Sequence, residues 1–179
     1  WVMRHSQTND GLVHEIAPEY IQFDWCGDMF RDSPEWGSSS IILAWYAYRW
    51  YGNKAFLDDN YAMMTRYIDY LGTKAKGHIL TQGLGDWYDL GPERPGVSQL
   101  TTPGITATAI SYYDLKLMVD IATLLGEKAD AEKVKTLQQA VYNALNQKYY
   151  QPQAHVYGPG IQTALAIPLY VGFVPLVAD

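Results

Sequence analysis

The chain has 179 residues and a mass of 20.2 kDa, room for one domain with a core of its own or a slice of a larger one. With 48% hydrophobic and 18% charged residues it is not a disordered, collagen-like or coiled-coil sequence, and it lacks an apolar run of about 18 residues that could form a membrane-spanning helix. A net charge of −6 and a pI near 5.1 argue against a nucleic-acid binder or a reader of anionic membranes.

The single cysteine, Cys26, makes neither an internal disulfide nor a cysteine-based zinc site, and is read as a small buried residue rather than a nucleophile. The sequence opens at Trp1 without an initiator Met or signal peptide and stops at Asp179 just after an apolar run, so an excerpt of a longer protein is expected. Its unusual quantity is an aromatic content of 14%.

Residues 1–7 read as the stub of a helix, and a long loop from Thr8 to Asp32 follows. Asn9-Asp10-Gly11 is a turn signal. The carboxylates Glu15, Glu19, Asp24, Asp28, Asp32 and Glu35 outnumber the nearby cation Arg31. Some are expected to line an acidic cleft; the plainer alternative is a solvated acidic loop. Tyr20, Phe23, Trp25 and Phe30 in the same stretch argue that the loop is ordered.

Ser33-Pro34 then starts a helix that runs to Trp50-Tyr51-Gly52. A hydroxyl before proline offers an acceptor to the free N–H groups of the first turn, proline loses no bond there, and glycine ends the helix by taking the left-handed conformation cheaply. Glu35, in the first turn, favourably meets the helix dipole. Trp36 is followed by Gly37 and by Ser38, Ser39 and Ser40, small residues that permit close helix approach, and is expected to project into a central cavity.

The next helix carries Leu57, Tyr61, Met64, Ile68 and Leu71 on one face and Asp58, Asp59, Arg66 and Asp69 on another. A second long loop, Gly72 to Thr101, holds Gln82-Gly83-Leu84-Gly85-Asp86-Trp87-Tyr88. A carboxylate beside an indole suits a sugar: the ring face stacks on the indole and the carboxylate accepts hydroxyl donors. The plainer alternative makes Trp87 a packing residue and Asp86 a turn cap.

Thr102-Pro103 starts the second apolar helix, which ends at Gly126. A two-faced helix with Val134, Leu137, Val141 and Leu145 follows, then a connection from about Gln147 to Tyr157. The third apolar helix starts near Pro159 without a hydroxyl cap and ends near Gly172, with Pro168 expected to kink or shorten it.

Apolar helices therefore alternate with two-faced ones, as inner and outer helices do. The long loops all fall on the outer-to-inner connections, and so at one rim. The expected fold is all-α, about two and a half helical hairpins of an α/α toroid; an open α-solenoid uses the same alternation, but the long one-sided loops favour the toroid. His5, His14, His78 and His155 are scattered without metal-ligand spacing, and His78 and His155 are expected near outer-helix ends as caps. There is no phosphate-binding loop motif.

Five motifs in order carry a resemblance: Thr8-Asn9-Asp10-Gly11-Leu12-Val13, Pro34-Glu35-Trp36-Gly37, the stretch Trp45 to Gly52, Leu84-Gly85-Asp86-Trp87, and the turn Leu124-Leu125-Gly126 followed by Asp130-Ala131. Together they resemble the catalytic domain of bacterial α-L-rhamnosidases, the six-hairpin glycosidases of glycoside hydrolase family 78. The resemblance implies residues 1–179 as a partial (α/α)6 barrel domain and hydrolysis of terminal α-L-rhamnose with inversion. An acid and a base would be held about 6.5–9.5 Å apart to admit a water.

In the family the acid motif precedes the matched region and the base follows it, so neither principal catalyst is expected here; Asp86 and Glu35 are the carboxyl candidates. The resemblance makes Trp36, Asp86 and Trp87 the substrate-binding residues. Many relatives have an acidic residue where this chain has Ser38, which removes a hydrogen bond to sugar. No cofactor or metal is implied, the partner is a rhamnose-containing glycoside rather than nucleic acid or membrane, and a periplasmic or extracellular setting is expected.

Two other functions remain open on this sequence: another carbohydrate-active enzyme on the same toroid, and a non-catalytic helical scaffold. An epimerase would be expected to place histidines on inner helices, and these have none. A slice of a toroid leaves inner faces uncovered, so the segment alone is expected to be poorly soluble or molten.

Overall fold

The structure, a computed structural model, describes residues 1–21 and 23–175, apart from the side chains of Asp24, Trp25 and Cys26. The expectations for those three side chains lie outside the described residues. Eight helices and one small ribbon follow in order among them. They are α1 (Val2–Ser6), α2 (Pro34–Gly37), α3 (Ser39–Tyr51), α4 (Ala55–Asp58), α5 (Tyr61–Lys74), α6 (Pro103–Leu125), α7 (Lys128–Tyr149), β1 (Tyr150–Gln151), β2 (Val156–Tyr157) and α8 (Gln162–Val171). A short 3-10 stretch, Asp24–Met29, is interrupted at Gly27 inside the first long loop.

The predicted inner helices are α2–α3, α6 and α8. Each stops at a glycine in the left-handed region, with φ of 68° at Gly52, 85° at Gly126 and 79° at Gly172. Thr102 caps α6 as expected, its hydroxyl accepting from the Gly104 N–H at 3.3 Å. Ser33 does not cap α2; its hydroxyl is committed elsewhere on the rim. Pro168 sits inside α8 without ending it, and α8 has 10 residues against 23 in α6.

Helix α6 is the axis of the chain. It packs on α2, α3, α4, α5, α7 and α8, and Ile105, Ala107, Ala109, Ile121 and Ala122 have no exposed surface. The outer stripes face it as predicted: Leu57, Met64, Ile68 and Leu71 on one side, Val134, Val141 and Leu145 on the other, all buried in one core.

Three local expectations are corrected. The first outer helix is two helices, because the chain breaks at Asp59-Asn60, where the Asn60 amide turns back to donate to the Phe56 carbonyl. The connection after α7 is not a plain loop in an all-α fold but a two-residue antiparallel ribbon, pairing Tyr150 with Tyr157 and Gln151 with Val156. His78 and His155 are turn residues rather than helix caps, with φ of 65° and 54°. His78 follows Gly77, also left-handed, in the tight turn that closes the bridge between Lys76 and Ile79.

Candidate functional site

The two long loops and the start of α2 meet at one end of the helices, and Ser33 is where they are joined. Its hydroxyl donates to Glu35 Oε2 at 2.7 Å and accepts from the Leu84 N–H at 3.3 Å. Gly83, at φ 97°, presses its backbone onto the same spot. A Cβ there would lie 2.9 Å from both Glu35 Oε2 and Ser33 Oγ, so only glycine lets the second loop close on α2.

Glu35 is half-buried, and burial pushes its carboxyl above the usual range against hydrogen bonds from Thr106 and Ser33. Glu15 reaches the same place from the first loop. Burial, with Glu35 and Asp32 nearby, pushes Glu15 up to about 8 although Ser33 bonds to it. Glu15 Oε1, Glu35 Oε1 and Asp32 Oδ1 are all buried with no hydrogen-bond partner among the described residues. Near neutral pH the Glu15 carboxyl is therefore able to donate as well as accept.

Trp36 follows Glu35 and is 49% exposed. Behind it the chain is fixed from the core. Tyr67 packs its hydroxyl against Gly37, and the Ser38 hydroxyl donates to Asp114 Oδ2, on the wholly buried face of α6. Burial raises the Asp114 carboxyl well above its ordinary range. The serine run is thus more than a set of small residues, since Ser38 ties the first inner helix to the second.

On the second loop Trp87 is half-buried and packs edge-on against Phe30 at 6.0 Å and Tyr88 at 4.9 Å. Phe30 in turn meets Phe23 at 4.5 Å. Asp86 makes no side-chain hydrogen bond among the described residues. The capping role considered for it falls to Asp89, whose carboxylate accepts from the Gln99 and Leu100 N–H groups at 2.9 and 2.7 Å.

The remaining acidic residues have mostly found partners. Glu19 takes Arg31 through two bonds, at 2.5 and 3.2 Å, and Arg31 also meets His14 Nε2 at 2.9 Å. Asp32 accepts from Tyr70 at 2.6 Å and faces Lys74 at 3.6 Å. Lys74 is the cation that counting within the loop overlooked, because it arrives from the end of α5. Asp89 was not singled out, and Glu15 was named only as one of six carboxylates around the first loop. The sequence signal for Glu15 is a loop carboxylate followed by an apolar residue, which many buried and unburied loops share.

The model of the bacterial alpha-L-rhamnosidase 6 hairpin glycosidase domain matches residues 2–178. An alpha-L-rhamnosidase of Alteromonas sp. (strain LOR) is 28% identical over 178 residues, covering 97% of this chain and 19% of that protein. Among solved structures, the alpha-L-rhamnosidase of Dictyoglumus thermophilum superposes with a TM-score of 0.83 at 28% identity, covering 97% of this chain and 19% of that one. The Streptomyces avermitilis alpha-L-rhamnosidase complexed with L-rhamnose superposes at 0.81 with 24% identity, over 97% of this chain and 16% of that one. The chain spans about a fifth of the length of the relatives it matches.

Proposed function

The chain belongs to the bacterial alpha-L-rhamnosidase six-hairpin glycosidase domain family, and we propose that residues 1–179 form part of the catalytic domain of an inverting glycosidase that removes terminal α-L-rhamnose. One observation carries the reading: Trp36 and Trp87 stand on the loop rim with an uncommitted carboxylate, Asp86, beside the second indole.

In this role the indoles stack on the apolar faces of the sugar, and Asp86 accepts its hydroxyl protons. Rhamnose carries a methyl where most hexoses carry a hydroxymethyl. An aromatic wall gains from that methyl without leaving a polar group of its own unpaired. Glu35 stays behind the wall: bonded to Ser33 and covered by Gly83, it fixes the angle at which α2 presents Trp36. The transfer of protons to the leaving oxygen and from the attacking water then falls to carboxylates of other parts of the barrel.

The test is kinetic. Trp87→Ala in the enzyme carrying this domain is expected to lower kcat/KM on an aryl α-L-rhamnoside at least tenfold, about 1.4 kcal/mol of transition-state binding. Unchanged kinetics would overturn the placing of Trp87 in the sugar pocket.

A further inference from the structure

The Ser33 hydroxyl serves two acids and has one proton to give. It is bonded to Glu35 Oε2 at 2.7 Å and accepts from the Leu84 N–H, and Glu15 of the first long loop is its second acid. A hydroxyl donates once and accepts through two lone pairs. With two carboxyl groups on one hydroxyl, one of them has to bring a proton of its own. Ser33 then makes all three of its bonds: one given to a carboxyl, one taken from Leu84 and one taken from the other carboxyl.

Glu15 is the acid that brings the proton. Glu35 is held from two sides, by Ser33 and by Thr106 of α6. Among the described residues Glu15 has Ser33 alone, and its buried Oε1 has no partner. No cation is free to hold it as an anion. Arg31 is spent on Glu19 and His14, and burial keeps His14 itself from charging. From α5 come Lys74 and Tyr70, both on Asp32, and Tyr67, buried beside Gly37. The second loop meets the junction with Gly83 and Leu84, which carry no charge. Asp32 and Glu35 stand nearby and Asp28 lines the same cleft, so the remaining neighbours would repel a Glu15 carboxylate.

We propose that the Ser33 junction is a proton-dependent latch on the first long loop. As the acid, Glu15 fastens that loop to α2 and, through Ser33, to the second loop at Leu84; as the carboxylate it lets the loop go. The loop carries Phe30, which touches the Trp87 ring at 6.0 Å, so the latch governs how firmly the rim is held. It does not depend on which ligand the rim takes.

The direction of the pH effect follows from burial. Burial pushes Glu15 up to about 8, whereas release of the loop returns it to water and to the ordinary carboxylate range. The closed loop therefore holds its proton more tightly than the open one. The latch is at full strength below the ordinary carboxylate range, weakens as pH rises from there, and has lost this contribution above about 8.

The experiment is hydrogen exchange in the enzyme carrying this domain. Backbone amides of residues 11–15, where Leu12 and Val13 are buried, report the opening of the loop, and those of α7 serve as reference. The unaltered enzyme is compared at each pH with Glu15→Gln, which keeps the shape of the acid and cannot ionise, so the chemistry of exchange cancels. The loop exchange rate of the unaltered enzyme relative to the variant is expected to rise at least tenfold from about pH 5 to about pH 8 and to level off above, with the α7 ratio constant. Glu15→Leu, equally without charge, replaces the amide variant if that one fails to fold. A loop ratio that does not change with pH overturns the latch. So does a rise of the same size in α7, which would make Glu15 a determinant of overall stability and leave the loop without a release of its own.

Discussion

Helices α3 and α6 share one sequence grammar and meet opposite fates. Both follow a hydroxyl-proline start, pack small residues into their first turns, run apolar for several turns and stop at a left-handed glycine. Yet α6 buries Ile105, Ile121 and Ala122 completely, whereas α3 leaves Leu43 57%, Trp50 75% and Tyr51 75% exposed. The difference is in the neighbours. Helix α6 has α3 and α8 beside it and α5 and α7 behind it, while α3 has an inner neighbour on one side within this chain. Hydropathy along a helix says how much surface asks to be covered; topology decides which of it is.

The largest effect that follows is on stability. Ile121→Ala opens a cavity in the fully enclosed part of α6 and should cost about 2–5 kcal/mol in urea unfolding. Leu43→Ala trims a side chain already in water and should stay within about 0.5 kcal/mol. Equal costs for the two would break the contrast, because they would mean that the exposed face of α3 is covered in solution.

A smaller effect tests what joins the two helices. Ser38→Ala removes the donor to Asp114 Oδ2 and leaves a wholly buried carboxyl, whose Oδ1 already lacks a partner, with neither oxygen bonded. The expected loss is about 1–3 kcal/mol. Ser38→Ala combined with Asp114→Leu removes both halves of the pair and should recover most of that loss, since exchanging both partners for apolar groups is close to neutral. A double variant as unstable as Ser38→Ala alone would show that the pair is not what joins α6 to the start of α3.

These two helices also show what was legible in the sequence. Their ends were, because proline and glycine act through the backbone within one turn and need no distant partner. The outer stripes were legible for a similar reason: Val134, Val141 and Leu145 share a face by periodicity alone. The contacts between segments far apart in sequence were not. Lys74 reaches Asp32 from α5, Leu84 finds Ser33 across 51 residues, and Asp114 meets Ser38 across 76. Each partner is an ordinary polar residue in its own window, and only the fold makes it specific. The break at Asp59-Asn60 and the ribbon after Tyr149 were missed because single side-chain-to-backbone bonds and two-residue strands leave no periodic trace. Trp36 and Trp87 stood out because each indole has glycine close by in the sequence, Gly37 beside the first and Gly83 and Gly85 before the second.

The smallest effect is expected where three inner helices meet at the open flank. Tyr46 of α3 places its hydroxyl 3.2 Å from that of Tyr113 of α6 and 3.2 Å from that of Tyr170 of α8. Three phenols from segments up to 124 residues apart would ordinarily be taken as a clamp. The contrast between α3 and α6 says otherwise, because the Tyr46–Tyr170 contact is exposed and Tyr170 is 67% accessible to solvent. Water can replace each bond that Tyr46→Phe deletes, so the net cost in urea unfolding should stay below about 1 kcal/mol. The ring of Tyr46 remains to stack on Trp50 at 5.6 Å, so packing is preserved and the measurement isolates the hydroxyl. A cost well above that of an ordinary solvated bond would mean that the three phenols are shielded from water, and that the flank of α3 is closed where its apolar residues suggest it is open.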